Sequence, residues 1–330
     1  MADAGWTLHH ARLHGVLRSR QLLPKNGRLL VAVSGGQDSL CLMRLLLDLQ
    51  PKWGWELAIA HCNHRWRTDA TDNAAYVEEV AQSWQVPYFC KTACKTAVEI
   101  PTSEAAARAW RYEMLAEMAL AEGYGAVVTG HTQSDRAETT LYNLLRGSGA
   151  DGLQALSWRR ELVPDISLVR PLLEMTRTET AEFCQISHLK VWEDSTNQDL
   201  HYARNRIRQE LIPYLQTHFN PQVEQALAQT AELLTADVDY LEQTAAELLR
   251  KACSQLGLNR LMLQSIPLTL QRRVIRQFLR EILPTAPSFD HVEKLVGLIG
   301  APNRSQCDPL PGGAIAQVEG DWIRVEVPLC

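Results

Sequence analysis

Short apolar runs alternate with longer amphipathic segments through the first 200 residues of the chain. Four runs have the length of a strand, at residues 28–33, 56–61, 86–90 and 126–130. Three helical patterns lie between them, at residues 38–49, 70–84 and 103–122. This alternation predicts a doubly wound α/β domain with a parallel sheet, in which ligands bind at the carboxyl ends of the strands.

The pattern changes to long helical periodicity after about residue 215. Three helix-like runs follow, at residues 221–250, 269–282 and 288–299. Strand-like alternation returns only near the end, where residues 313–327 resemble a hairpin around Glu319, Gly320 and Asp321. We therefore predict an α/β domain over residues 1–215 and a smaller, mainly helical domain over residues 216–330 that ends in a β-hairpin.

The composition is that of an ordinary folded protein. The 330 residues are 46% hydrophobic and 22% charged, which argues against disorder and fibrous repeats. Lys and Arg number 33 against 38 Asp and Glu, so the formal net charge is −5. Because no global positive field attracts nucleic acid, any such binding must depend on local basic patches.

The cysteines and the apolar stretches predict a cytoplasmic protein that enters no membrane. Eight cysteines are scattered without paired spacing, which is typical of reduced thiols. Cys90 and Cys94 are separated by three residues, so they match neither a C-x-x-C redox pair nor a usual zinc site. The N-terminus carries no signal-like apolar core, and the most apolar stretch, residues 40–49, contains Arg44 and Asp48.

The strongest chemical signal directly follows the first predicted strand. It consists of Ser34, Gly35, Gly36, Gln37, Asp38 and Ser39. Two glycines allow a tight turn, and the helix that starts there points unpaired N–H groups at the same spot, which suits a phosphate. The hydroxyls of Ser34 and Ser39 add donors, and Asp38 can hold the Mg²⁺ that accompanies a polyphosphate. The loop is not a Walker A motif, because no lysine follows the glycines.

The hexapeptide SGGQDS resembles the SGGxDS loop of the N-type ATP pyrophosphatases, or PP-loop family. This resemblance implies an adenine nucleotide alpha hydrolase-like fold over residues 1–215. It also implies a reaction in which ATP adenylates a carbonyl oxygen, pyrophosphate leaves and a nucleophile displaces AMP. Asparagine, GMP and NAD synthetases and several tRNA-modifying enzymes share the loop, so the loop alone leaves the substrate open.

Four further stretches narrow the family. They are HCNHRWR (61–67), GHTQSDRAETTLYNLLRGSGADGL (130–153), LVRPLLEMTRTET (168–180) and WEDSTNQDLHYARNRIRQELIPYL (192–215). In this order behind SGGQDS they resemble the tRNA(Ile)-lysidine synthases over nearly the whole chain. The resemblance implies a ligase that uses ATP and Mg²⁺ to join free L-lysine to C2 of the wobble cytidine in the CAU anticodon of tRNA(Ile), so that AUA is read as isoleucine. It also implies that residues 216–330 bind tRNA.

The lysine substrate requires a base, because its amine is charged in water with a pKa of about 10.4. Asp135 and Glu138 stand i,i+3 on a helix predicted over residues 134–145, so they share a face and can bind the ammonium and deprotonate it. His131 is close enough in sequence to assist. The alternative is a solvated helix start, where carboxylates are favoured by the helix dipole. Ser134 stands where the family more commonly has an aspartate, which affects any role that needs a further carboxylate there.

Arginine clusters are the candidates for RNA contact, since the planar guanidinium suits phosphates and base edges. Arg108 and Arg111, one turn apart, resemble the AAR-x-x-RY element of the family, and Arg204 and Arg208 lie in a later cluster. Further basic groups are Arg65/Arg67, Arg136/Arg146, Arg206 and Arg272/Arg273/Arg276/Arg280. For each cluster a solvated helix face with internal salt bridges is the competing interpretation.

Two other functions compete with the ligase. A tRNA 2-thiocytidine synthetase shares the fold but usually carries C-x-x-C pairs for an iron–sulfur cluster, which this sequence lacks. A non-catalytic nucleotide-binding or RNA-binding module has no need for the combination of Asp38, Asp135 and Glu138. The oligomeric state stays open, with a homodimer as one option, and so do the roles of His61 and His64, for which a pocket wall or loop packing is the simpler interpretation.

Overall fold

The computed structural model describes residues 6–65, 68–93, 104–192 and 200–326. Within these ranges the first part of the chain forms a six-stranded sheet. Its strands are β1 (Arg28–Ala32), β2 (Glu56–Asn63), β3 (Tyr88–Thr92), β4 (Ala126–Thr129), β5 (Arg159–Val163) and β6 (Ile166–Val169). The accompanying helices are α1 (Leu8–Ser19), α2 (Gln37–Trp53), α3 (Ala70–Ser83), α4 (Glu104–Glu122), α5 (Gln133–Leu145), α6 (Ala150–Leu153), α7 (Arg177–Ile186), α8 (Ala203–Arg206) and α9 (Ile212–His218). A π-helical turn, Ile207–Leu211, joins the last two.

The strand order is β3-β2-β1-β4-β6-β5, and every neighbouring pair except β5 with β6 is parallel. The chain runs from β1 outward to β3 on one side and then resumes with β4 on the other side of β1. This reversal creates a crevice at the carboxyl ends of β1 and β4, where doubly wound sheets bind ligands. The predicted fold class is confirmed, and the four predicted strands correspond to β1 to β4.

The two faces of the sheet bury alternate residues, as expected for strands covered on both sides. Leu29 and Val31 belong to a core that includes side chains of α1, α2 and α7, whereas Leu30 belongs to a second core with Leu115 of α4. The near-continuous apolar character of the strands therefore follows from burial on both faces.

The remaining helices are α10 (Val223–Ala252), α11 (Arg260–Gln264), α12 (Leu268–Ile282) and α13 (Phe289–Ile299). A second sheet contains β7 (Cys253–Ser254), β8 (Gly257–Asn259), β9 (Ile315–Glu319) and β10 (Trp322–Glu326) in the antiparallel order β7-β8-β10-β9. The terminal hairpin is thus confirmed. The expectation that this half lacks strands before the hairpin is wrong, because β7 and β8, with two and three residues, are too short to produce an alternating pattern.

The chain divides into two compact units, residues 1–232 and 233–330. The division falls within α10, whereas the boundary that we predict from the sequence pattern lies near residue 215. The second unit has its own apolar core, formed by side chains of α12, α13 and the small sheet, among them Ile275, Leu295 and Ile323. In the described part of the chain, no helix has the length and apolar content needed to span a bilayer.

Candidate active site

The loop after β1 has the geometry of a phosphate-binding turn. Gly36 caps the N-terminus of α2 in an extended conformation, and Gly35 has a φ of +86°. A Cβ atom at Gly35 would lie 2.7 Å from Nδ2 of Asn73 and 3.3 Å from Cβ of Trp192, and the positive φ would strain any other residue at this position. Ser34 and Ser39 fasten the turn, since the Ser34 N–H donates to the Ser39 hydroxyl at 3.1 Å and that hydroxyl donates to the Gly36 carbonyl at 2.9 Å.

The end of β4 lies directly against the start of α2. A Cβ atom at Gly130 would come within 2.7 Å of the carbonyl oxygen of Asp38. Only glycine permits so close an approach between two backbones. The contact brings the phosphate loop and the residues that follow β4 to one crevice, as the strand order requires.

Asp38 is held by α7, an element that the sequence pattern does not connect with the loop. Nη2 of Arg177 lies 3.0 Å from Oδ2 of Asp38, and the Thr180 hydroxyl bonds the other carboxylate oxygen. The Gln37 amide donates to the Arg177 carbonyl at 2.8 Å. Burial raises the pKa of Asp38, although Arg177 opposes this shift.

A capping box explains why α7 starts at this point. The Thr176 hydroxyl accepts from the Glu179 N–H at 3.2 Å, and the Glu179 carboxylate accepts from the Thr176 N–H at 2.7 Å. The T-x-x-E spacing of residues 176–179 is the sequence signal for such a box. That signal locates the helix start, but it does not reveal that Arg177 and Thr180 reach Asp38.

Helix α5 begins with a second capping box, and Asp135 is part of it. Oδ2 of Asp135 accepts from the Thr132 N–H at 2.8 Å and from the Thr132 hydroxyl at 2.9 Å. The Ser134 hydroxyl, two positions into α5, accepts from the backbone N–H of Arg177 at 3.3 Å. Asp135 therefore both fixes the helix start and presents its second oxygen, Oδ1, to the site.

The carboxylate of Glu138 is buried and forms an ion pair with the guanidinium of Arg208. Nε and Nη2 of Arg208 donate to its two oxygens at 2.6 and 2.8 Å, and Nη2 lies 3.7 Å from Oδ1 of Asp135. The acidic pair predicted on one face of α5 is thus brought together in the structure. Arg208, predicted from the sequence as an RNA contact, lies against this pair.

The titration behaviour differs between the three polar groups of this helix start. Burial raises the pKa of Glu138, although Arg208 opposes it. Burial would also raise the pKa of Asp135, but Arg177 and His131 together with the Thr132 N–H lower it below its ordinary value. Burial lowers the pKa of His131 to about 3, so its imidazole is neutral at physiological pH.

Three arginines surround Tyr112 and form what we call the arginine cluster: Arg108, Arg160 and Arg170. The guanidinium carbons of Arg108 and Arg160 each lie 5.2 Å from the Tyr112 ring centroid, and Nη2 of Arg170 lies 3.5 Å from its hydroxyl. In the described ranges these arginines form no ion pair with a carboxylate, and the Nε of Arg170 is buried without a hydrogen-bond partner. Burial would raise the pKa of Tyr112, but Arg108 and Arg170 lower it, as expected in a strongly positive environment.

His61 and His64 make contacts with neighbouring protein groups, which fits a structural role. Nδ1 of His61 lies 2.8 Å from the Val33 carbonyl, which joins the ends of β1 and β2. Nε2 of His64 lies 3.1 Å from Nη2 of Arg111, the other residue of the predicted AAR-x-x-RY element, and its ring packs on that of Trp110.

Six cysteines of the described residues are free thiols, as expected: Cys41, Cys62, Cys90, Cys184, Cys253 and Cys307. Arg67, Cys94 and residues 193–199 of the WEDSTN stretch lie outside the described residues.

The loop and its surroundings fit ATP with Mg²⁺. Free N–H groups at the start of α2 and the side-chain-free approach at Gly35 suit a polyphosphate. In the portion of the chain that the structure describes, no three His, Cys, Asp or Glu side chains gather as a metal site. Mg²⁺ commonly binds proteins through one or two carboxylates and completes its shell with substrate phosphates, and Asp38 beside the loop suits that arrangement.

Comparison with known proteins agrees with this geometry. Residues 9–215 match the PP-loop domain family, and residues 258–323 match the TilS substrate binding domain. A tRNA(Ile)-lysidine synthase from Nostoc sp. is 61% identical over 96% of this chain and 96% of its own length. One from Synechocystis sp. is 54% identical over 97% of this chain and 98% of its own length.

Among solved structures, the U34-tRNA thiolase NcsA from Methanococcus maripaludis superposes with a TM-score of 0.57 at 16% identity. The match covers 68% of this chain and 78% of the thiolase. At this identity the likeness concerns the fold alone, and it is consistent with the mostly parallel sheet described above.

Proposed function

Since this chain belongs to the tRNA(Ile)-lysidine synthase family, we propose that it uses ATP to join free L-lysine to C2 of the wobble cytidine in the CAU anticodon of tRNA(Ile). One observation carries the proposal. The phosphate loop and the acidic pair of α5 lie at neighbouring strand ends, and Arg177 contacts both sides: its side chain bonds Asp38 and its backbone bonds Ser134.

In the first step, O2 of the cytidine attacks the α-phosphorus of ATP and pyrophosphate leaves. The loop N–H groups and the Ser34 hydroxyl hold the phosphates, while Ser39 keeps the turn in place through its bonds to Ser34 and Gly36. Asp38 would hold the Mg²⁺, which when bound would neutralise part of the phosphate charge. Arg177 supplies a further positive charge beside Asp38. This step converts a poor leaving oxygen into AMP.

In the second step, the ε-amine nitrogen of lysine bonds to C2 while the C2–O2 bond breaks and AMP departs with O2. The amine must give up a proton. Among the three candidate bases Glu138 suits the task best, because burial raises its pKa, whereas the pKa of Asp135 is lowered and that of His131 falls to about 3. We therefore assign the general base to Glu138 and ammonium binding to Asp135 together with Glu138.

The contact with Arg208 supports the ability of this pair to hold a cation. A guanidinium already occupies both oxygens of Glu138 and approaches Asp135. The lysine ammonium must therefore share these oxygens with Arg208 or displace it. The imidazole of His131 is neutral and hydrogen-bonded to the Thr129 hydroxyl at 2.9 Å. It lines the site and offers a hydrogen bond there.

The tRNA requires positive charge close to the reacting base. The arginine cluster offers three guanidinium groups without carboxylate partners in the described residues, and Arg111 lies on the same helix as Arg108. These groups suit the phosphates on either side of the modified nucleotide. We place the reaction in the cytoplasm, in agreement with the six free thiols.

Pyrophosphate release tests the proposal. With ATP and lysine, wild-type protein is expected to release pyrophosphate only when a CAU-anticodon tRNA is present, and Asp38→Asn to release almost none while it retains tRNA affinity. Asp48→Asn is the matched control, because Asp48 lies on the same helix but pairs with Arg44 and His10. Release at the wild-type rate by Asp38→Asn would contradict the role of Asp38.

A further inference from the structure

A groove of about 550 Å³ opens beside the helix that carries the acidic pair. Its lining residues come from the end of α5 and from the stretch that runs from α8 through the π-helical turn into α9, among them Tyr142, Leu145, Arg146, Ile207, Leu211 and Tyr214. We call it the tyrosine groove. Its volume lies within the range of small-ligand sites in proteins.

The groove lies one helical turn away from the proposed reaction site. Tyr142 follows Glu138 by four residues on α5, and Arg204 precedes Arg208 by four residues on the facing segment. Accordingly, the guanidinium of Arg204 lies 5.9 Å from the Tyr142 ring centroid, just as Arg208 lies against Glu138. One turn of an α-helix rises 5.4 Å, so the groove is within reach of a nucleotide next to the reacting one.

The groove combines an apolar lining, tyrosines and arginines. Tyr214 is 55% exposed and Leu145 is 68% exposed, so both present ring or apolar surface to solvent. The guanidinium of Arg146 lies 5.3 Å from the Tyr142 ring centroid. Arg206 and Glu210 complete the charged lining, so positive charge predominates. Aromatic rings beside arginines are the usual means of holding unpaired bases next to a phosphate backbone.

We propose that the tyrosine groove binds one of the two bases that flank the modified cytidine, stacked on Tyr142 or Tyr214, with Arg146 and Arg206 near its phosphate. This proposal rests on the proposed function, because it requires an RNA substrate with a reacting base at Glu138. Stacking there would offset part of the cost of unstacking the anticodon loop and would hold the cytidine in register with the acidic pair.

The test uses anticodon stem–loop RNAs in which 2-aminopurine replaces the base on the 5′ or the 3′ side of the cytidine. Wild-type protein is expected to quench the fluorescence of at least one of them. The double variant Tyr142→Leu/Tyr214→Leu is expected to lose that quenching and to bind the stem–loop roughly 5- to 150-fold more weakly, in line with the energy of one base stack. The single leucine variants show which of the two rings carries the stack. ATP binding should not change.

Two variants separate stacking from folding. Tyr142→Phe keeps the ring and is expected to quench and bind like the wild type. Leu144→Ala, on the same helix and 53% exposed but outside the groove lining, should also leave both readouts unchanged.

The proposal is overturned if neither RNA is quenched by wild-type protein, or if the double leucine variant still quenches and binds like the wild type. If those results occur while wild-type protein still transfers lysine to the RNA, the groove proposal alone fails. If wild-type protein neither binds the stem–loop nor releases pyrophosphate with it, the proposed function fails as well.

Discussion

At the scale of single residues, two arginines lie against the three carboxylates of the site and offset part of their negative charge. Asp38 pairs with Arg177, and Arg208 pairs with both Glu138 and Asp135, so each buried negative charge has a partner. An unpaired buried carboxylate would be costly, and its pKa would rise further. The pairing keeps the charges in place, and the remaining differences in pKa distinguish the groups that bind from the group that accepts a proton.

We predict that Glu138→Gln separates the two chemical steps. The amide keeps the size of the side chain and can still bond Arg208, but it cannot accept the lysine proton. Adenylated tRNA should therefore accumulate, and its consumption should recover partly at higher pH, where more free lysine is neutral. Quenched-flow analysis of labelled tRNA measures both species.

Glu182→Gln, at an exposed position of α7, is the control and should behave like the wild type. A Glu138→Gln protein that forms no adenylate at all would show that Glu138 acts in the first step instead.

His131 leads to a prediction about stability. Its pKa of about 3 in the folded protein lies far below the ordinary value of 6.5. Below pH 6.5 the unfolded chain binds a proton that the folded protein does not, so stability falls as the pH falls, by up to about 1.4 kcal/mol per pH unit. Urea unfolding of the wild type and of His131→Asn between pH 7 and 5 should show a steeper loss of stability in the wild type. Equal slopes for both proteins would contradict a neutral, buried imidazole.

At the scale of elements, two capping boxes position the site. Thr132 with Asp135 starts α5, and Thr176 with Glu179 starts α7. The box of α7 matters for chemistry because the next residues, Arg177 and Thr180, contact Asp38. The capping-box sequences thus determine where α5 and α7 begin, and so where the catalytic and supporting side chains on these helices lie.

Thr176→Ala should lower the free energy of unfolding by about 1 kcal/mol, the usual effect of losing an N-cap. It should also slow pyrophosphate release, since Arg177 and Thr180 lose their fixed position beside Asp38. Thr176→Ser keeps the hydroxyl and should preserve both properties. Urea titration and the pyrophosphate assay measure the two effects, and a Thr176→Ala protein with a wild-type rate would separate the cap from the chemistry.

The sequence pattern predicted β1 to β4 because each lies in a short, mainly apolar run, and it predicted the long helices because they have a clear period. It did not predict β5 and β6, since β5 is a largely exposed edge strand with charged residues and the polar Ser167 interrupts the apolar run of β6. Asp38 was predicted because it follows two glycines directly after a strand. Asp135 and Glu138 were predicted because they are three residues apart on a predicted helix. The contacts of Arg177 with Asp38 and of Arg208 with Glu138 join residues 139 and 70 positions apart, and only the tertiary fold determines them.

At the scale of the whole molecule, the net charge of −5 contrasts with the local arginine cluster. Binding to tRNA must then depend on a few phosphate contacts. We predict that log K for tRNA falls linearly with log salt, and that Arg108→Ala weakens binding and reduces the slope by about 1 for one lost phosphate contact.

Arg18→Ala is the control for this salt dependence, because Arg18 lies on α1, which packs on the opposite face of the sheet from α4. Filter binding at several salt concentrations measures the slopes. An unchanged slope in Arg108→Ala would assign Arg108 to structural packing around Tyr112.

In the proposed function, this protein joins lysine to the wobble cytidine of tRNA(Ile). The most direct measurement is transfer of labelled lysine to tRNA in the presence of ATP, with a CAU-anticodon tRNA(Ile) and the same tRNA carrying UAU as substrates. We predict stable incorporation of one lysine per CAU tRNA, located at the wobble nucleotide by nuclease digestion and mass spectrometry, and none into the UAU tRNA. Absence of lysine from the CAU tRNA, or incorporation at another nucleotide, would contradict the account.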